Sequence, residues 1–157
     1  MKKYILLFLI IFLTSCSKNY DQNYDNYKDF SKQNQRNKGW FPSLISKDAF
    51  NLKSSSSLDP FHNFGVFEYT NENYYNSIFE KQNGIKINKS DFEKKIKDNI
   101  ESKPNWFLNI KDKKNKDLAV IKYGNFFLAK SNKEKKIYFV LSDGVNFDRL
   151  RKTPQNQ

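Results

Sequence analysis

The sequence predicts an α+β fold: a single small domain in which an antiparallel sheet of four to five strands is covered by about two helices. Three observations lead there. Apolar residues alternate with a period of two in residues 64–70, 118–123, 125–130 and 136–142, the pattern of strands that bury one face. They recur at spacings of three and four in residues 71–82 and 90–104, the pattern of amphipathic helices. Nineteen aromatic rings between Trp40 and Phe147 supply a core. The chain has one cysteine and one histidine among 157 residues, so neither a disulfide framework nor a multi-ligand Cys/His metal site can hold it together.

Taken in order, residues 41–45 form an opening turn, with Pro42 disfavouring a helix just before it. A short strand follows at 49–53. Residues 54–60 contain four consecutive serines and then Leu58-Asp59-Pro60, the composition of a loop. Residues 64–70 read as a strand. Asn71 is placed to cap a helix over 71–82 whose Tyr75, Ile78 and Phe79 share a face. Asn83-Gly84 ends it. Ser90 and Glu93 have capping-box spacing ahead of a second helix with Phe92, Ile96 and Ile100 at intervals of four. Pro104 stops that helix, and residues 106–110 read as an irregular bridge. Three antiparallel strands close the domain, with a tight turn at Tyr123-Gly124-Asn125 and a charged loop over 131–135. In the last strand Ile137, Phe139 and Leu141 face one way and Tyr138 and Val140 the other. Asp143-Gly144 makes a final turn.

The first residues have a different character. Met1-Lys2-Lys3 is a positive start, and an unbroken apolar run follows as far as Leu13. As a helix that run is roughly 15 Å long, half a bilayer core, so it fits the apolar region of a signal peptide and is too short to span. It ends in Leu13-Thr14-Ser15-Cys16, which resembles the lipobox of bacterial lipoproteins. That resemblance implies cleavage after Ser15 and lipid attachment at Cys16. Small residues before the cut leave the backbone open to a peptidase, and a thiol is the strongest nucleophile available for alkylation. Two or three acyl chains anchor stably where one does not. Ser17, where enteric inner-membrane lipoproteins carry aspartate, suggests the outer membrane, with the domain facing the periplasm.

The organisation that follows is a signal peptide over 1–15, a lipidated Cys16 with a flexible polar tether to 38, a globular α+β domain over 39–150 and a disordered tail over 151–157. The tether segment lacks Val, Leu and Ile. As a coil it would reach roughly 25 Å. Tyr20, Tyr24 and Tyr27 allow a second reading, one helical stripe that packs on the domain or on lipid headgroups.

Gly39-Trp40-Phe41-Pro42, followed by Ile45-Ser46-Lys47-Asp48-Ala49-Phe50-Asn51-Leu52, is similar to the opening of small bacterial lipoproteins that resemble the YbbD head domain. Asn125-Phe126-Phe127-Leu128-Ala129 and Ile137-Tyr138-Phe139 are similar to that family's closing hairpin. The chain departs from the pattern at Ser46, at Phe50 and in the serine run 54–57. The resemblance covers most of 39–142 and implies a fold without implying an activity.

Chemistry is sparse in this sequence. There is no glycine-rich phosphate loop and no DxDxDG calcium loop. Catalysis by His62 would need a nucleophile and an orienting acid; Ser54 to Ser57 and Asp59 supply them only as loop residues. Glu68 and Glu72, or Asp91, Glu93 and Asp98, sit where solvated or capping roles are usual. No catalytic, cofactor or metal residue is therefore expected. The net charge is +11, but all but three of the 28 basic residues are lysine. Scarce guanidinium forks and an envelope location argue against nucleic acid. Lysines in 111–116 and 130–136 can instead hold the domain against anionic lipid or an acidic partner.

The adjacent aromatic pairs are too many for every ring to face inward on strands. The first reading is that they are core or helix–sheet seam, and the second is that some are held at the surface for a partner. Trp40, Phe41, Phe61, Trp106 and Phe107 are the candidate contacts with another envelope protein. The expected function is a non-enzymatic, lipid-anchored protein-binding module, one form being a toxin-neutralising (immunity-type) lipoprotein. The alternative is an envelope assembly or maintenance component that contacts peptidoglycan or anionic glycolipid. The sequence leaves oligomeric state open.

Overall fold

The computed structural model describes residues 19–58, 61–81, 83–112 and 118–141. Among them, seven strands form one antiparallel sheet: β1 (Tyr20–Asn26), β2 (Ala49–Leu58), β3 (Phe61–Tyr69), β4 (Ile85–Lys86), β5 (Leu118–Tyr123), β6 (Phe126–Ser131) and β7 (Lys136–Leu141). Their order across the sheet is β1-β2-β3-β7-β6-β5-β4. Three short helices accompany them: α1 (Tyr27–Lys32), α2 (Glu72–Lys81) and α3 (Lys89–Asp98), the last running into a single 3-10 turn at Ile100–Ser102. The expectation of four to five strands under two helices is thus corrected. The protein is mostly sheet, and the sheet is wider because polar segments join it.

The widening has a definite cause. Residues 20–26 were expected to be tether, yet they form an edge strand in register with β2, Tyr20 opposite Ser56 and Asn26 opposite Phe50. An edge strand needs pairing on one side only, so its exposed positions can stay polar. Its inward positions are filled by Gln22 and by the half-buried ring of Tyr24. The serine run expected as loop lies inside β2, paired to β3 along its length and to β1 from Ser54 to Ser56, and all four serines are buried. Two of the hydroxyls bond to β1: Ser54 Oγ donates to Gln22 Oε1 at 3.0 Å and Ser56 Oγ to the Tyr20 carbonyl at 3.3 Å. A buried hydroxyl so satisfied costs little.

Alternation then divides the core in two. One face carries Leu52, Phe67, Tyr69, Ile121, Phe126, Leu128, Ile137, Phe139 and Leu141, roofed by Phe30 of α1, Phe41 to Ile45 of the connecting loop, and Tyr75 and Ile78 of α2. The other carries Phe64, Val66, Val120, Phe127, Ala129, Tyr138 and Val140, roofed by Phe92 and Ile96 of α3 and by Phe107 and Leu108. The helix α2 starts as its sequence implies, with Asn71 Oδ1 accepting from the Tyr74 amide at 3.0 Å. The Ser90/Glu93 capping box does not form: α3 begins at Lys89, with Asn88 as its N-cap and no side-chain cap bond. Ile100 lies beyond the helix and is 52% exposed. The turn at Asp143-Gly144, the chain from 142 to 150, the tail and residues 1–18 lie outside the described residues.

At the centre of the first face, Gly65 of β3 pairs directly with Phe139 of β7. A Cβ on Gly65 would stand 1.9 Å from Phe139 Cζ. The ring lies across the glycine and meets Phe41 at 5.4 Å, Phe126 at 5.6 Å and Phe67 at 6.2 Å between centroids. Gly65→Ala therefore displaces a ring that is boxed in. We expect a loss of roughly 2–3 kcal/mol and a fall in Tm of roughly 10 °C; an unchanged thermal unfolding curve would contradict this packing.

Candidate functional site

The five aromatic residues expected to bind a partner do not form one surface. Phe41 is 1% exposed, wedged against Phe30 at 4.9 Å, and Phe107 is 3% exposed, held edge-on by Phe64 at 4.9 Å and Tyr138 at 5.3 Å. Both are core. Trp40 and Phe61 stack at 6.3 Å, half-buried, where the β2–β3 hairpin turns. Trp106 is 37% exposed and lies on the opposite face, near the opposite end of the strands.

Trp106 owes its position to its neighbours. The Phe107 amide donates to the Pro104 carbonyl at 3.0 Å, closing a turn that buries Phe107 and leaves Trp106 outside, edge-on to it at 6.1 Å. Its ring borders a groove of about 250 Å³ lined by Asn51, Lys53, Val66, Glu68, Lys136 and Tyr138. The groove exists because β2 bulges between Phe50 and Lys53. Asn51 takes a left-handed φ of 49° at that bulge, and its amide donates to Glu68 Oε1 at 3.3 Å. Bulges re-aim side chains in this way at functional edges. The groove therefore joins one indole, two lysines and one carboxylate. Sequence reasoning missed Asn51, Lys53, Glu68 and Lys136 as its walls, since a bulge brings them together and no periodicity announces one.

A larger cleft of about 520 Å³ lies between α3 and the segment after it, with Lys97, Lys103 and Lys111 around an apolar floor of Ile100 and Ile110 and a single acid, Glu93. In the other lysine group, two of the cations are engaged within the fold. Lys130 donates to the Asn76 carbonyl at 2.9 Å and lies over the rings of Tyr75 and Phe79; burial pulls its pKa below the ordinary lysine value. Lys135 pairs with Glu72 at 2.8 Å. These cations fasten the β6–β7 hairpin to α2. Residues 113–117 of the remaining lysine-rich loop lie outside the described residues.

His62 and Ser57 are register partners of β3 and β2, so they share a face, but both are buried at 3% and 7% exposure. The His62 ring rests on Phe64 at 6.0 Å. Asp59, the acid weighed with them, lies outside the described residues. Among the described residues no three His, Cys, Asp or Glu side chains cluster as metal ligands would, and no helix is long and apolar enough to cross a membrane.

The connecting loop is pinned by buried polar contacts. Tyr69 OH donates to the Leu44 carbonyl at 3.2 Å and accepts from the Ser46 amide at 3.3 Å. Asn63 Nδ2 donates to the Trp40 carbonyl at 2.7 Å, and Arg36 reaches the Ile45 carbonyl. These contacts fix the place of Trp40.

With this geometry in view, comparison with known proteins gives one family. The family model of the YbbD head domain matches residues 18–80, less than half of the chain. The chain is similar to that domain from β1 through α2. The similarity begins earlier than the Gly39-Trp40-Phe41-Pro42 motif and takes in the segment expected to be tether. It ends before the hairpin of β6 and β7. No curated protein and no solved structure matches the chain.

Tyr138, in the groove wall, is raised above the ordinary tyrosine value of 10.0 by burial and then by its hydrogen bond to Glu134. Burial likewise raises Tyr69, and Tyr75, whose hydroxyl donates to the Ser131 carbonyl at 2.6 Å. Each phenol stays neutral in the fold at a pH where the unfolded chain ionises. The stabilisation is therefore complete below about pH 10 and drains as pH rises past it. Thermal unfolding followed against pH should show Tm falling above pH 10, with part of the phenolate absorbance appearing only as the protein unfolds. Full phenolate absorbance in the folded protein would contradict the burial of these rings.

Proposed function

We propose that this chain is a lipid-anchored, non-enzymatic binding module of the bacterial cell envelope, held by Cys16 in the outer membrane and facing the periplasm. The Leu13-Thr14-Ser15-Cys16 string supports the anchor through its resemblance to the lipobox. The observation that carries the binding role is the exposed indole of Trp106 above a groove with both signs of charge. Tryptophan is the side chain most often responsible for affinity at protein interfaces, and it works best with charged groups around it that exclude water on docking. The partner is another envelope protein. In the immunity-type version it is an acidic toxin drawn by the lysine-rich surface, which would speed encounter more than it adds affinity.

One observation favours a second reading. The cleft at Ile100 and Ile110, with three lysines against one glutamate, suits the acyl and phosphate parts of an anionic glycolipid. Salt-sensitive cosedimentation with glycolipid or sacculi, lost in Lys97→Glu, is its signature.

Capture from solubilised envelopes separates the two. Wild-type chain should retain a specific protein, and Trp106→Ala should weaken that retention by about thirtyfold in Kd with an unchanged melting temperature. A partner held equally by both chains, or no protein partner at all, would overturn the assignment of the groove.

A further inference from the structure

Among the described residues, two of the large exposed apolar side chains lie together at one end of the sheet, apart from Ile85, Ile100 and Trp106. Tyr20 is 57% exposed and Leu58 67% exposed. Tyr20 pairs with Ser56, and Leu58 is two residues further along β2, so both side chains project from the same face as diagonal neighbours. Leu58 pairs in turn with Phe61, whose ring carries Trp40. Tyr20, Trp40, Leu58 and Phe61 thus form a continuous rim across β1, β2 and β3. The register leaves the other end of these strands to Asn26, Phe50 and Glu68.

The chain reaches this rim directly from Cys16. Because β1 begins at Tyr20, only three residues stand between the anchor and the sheet, and the four residue steps from Cys16 to Tyr20 span at most about 14 Å. That is much shorter than the reach a tether ending at residue 38 would have. A domain leashed this closely cannot turn its rim far from the surface that holds its anchor. Tyrosine and tryptophan combine an apolar ring with a hydrogen-bonding edge and settle at the boundary between acyl chains and headgroups. Leu58 adds a purely apolar contact, and Lys38, exposed two residues before Trp40, adds a cation suited to anionic headgroups.

We infer that the rim of Tyr20, Trp40, Leu58 and Phe61 lies on the lipid surface, fixing the domain's orientation so that the Trp106 groove points away from the membrane. This rests on the reading of Cys16 as the lipid anchor. The two tryptophans make the inference measurable, because Trp40 lies at the rim and Trp106 near Glu68, seven residues or about 23 Å away along β3.

Full-length protein purified with its lipid is reconstituted into vesicles of phosphatidylethanolamine and phosphatidylglycerol that carry doxyl-labelled lipid. Trp106→Phe leaves Trp40 as the sole indole and Trp40→Phe leaves Trp106. The Trp40 emission should shift to the blue and lose most of its intensity to the quencher, while Trp106 keeps its intensity. Leu58→Asp added to Trp106→Phe should restore much of the Trp40 emission. Mass measurement of the Cys16 peptide is made on the same sample. Lipid at Cys16 with Trp40 unquenched, or with both indoles quenched alike, overturns the rim assignment and leaves the anchor standing; a rim that binds protein gives the first of these. Absence of lipid at Cys16 overturns the anchor and the orientation together.

Discussion

The ring of Phe139 lies across the bare backbone of Gly65, and the rest of the molecule is arranged around that contact. It joins β3 to β7, two strands far apart in sequence, at the middle of a seven-stranded sheet. Phe41 reaches the same ring from the connecting loop, and Phe67 and Phe126 reach it from the sheet. The similarity to the YbbD head domain stops at residue 80, so the glycine falls within it and the phenylalanine outside it. The segment that resembles the family needs the later hairpin of β6 and β7 to cover its own centre. Loop closure over such a separation has an entropic cost that only dense packing of this kind offsets.

That central packing decides which rings remain for binding. Phe41 is drawn inward because Phe30 and Phe139 leave a ring-sized gap, and Phe107 because Phe64 and Tyr138 do on the far side. What stays outside is distributed between two ends. Trp40 and Phe61 sit with Tyr20 and Leu58 at the end where the chain arrives from Cys16, and Trp106 sits above a groove near the other end. A domain built this way can rest one end on a surface and offer the other to a partner, without any moving part.

Where apolar periodicity speaks the sequence is a good guide, while capping signals divide: the Asn71 cap forms and the Ser90/Glu93 box does not. The strands β5, β6 and β7, the helix over α2 with its Asn71 cap, and the buried faces of both long helices follow directly from apolar spacing. Two kinds of feature escape it. The edge strand β1 and the serine-rich centre of β2 are polar, and they become strands because neighbours satisfy their backbones and hydroxyls, which no local pattern reports. Adjacent aromatic pairs show that some rings must lie outside the core, but not which. Trp106 and Phe107 have opposite fates because of one turn at Pro104, and the bulge at Asn51 creates a groove from residues that look unremarkable in a row.

If a lipid sits at Cys16, as proposed, the short reach from there to β1 would set which end of the sheet meets a membrane. The most direct measurement is metabolic labelling with radioactive palmitate in bacteria that produce the chain or its Cys16→Ser variant. The account requires label on the wild-type protein, which fractionates with membranes, and none on the variant. A wild-type chain that accumulates without label would contradict it.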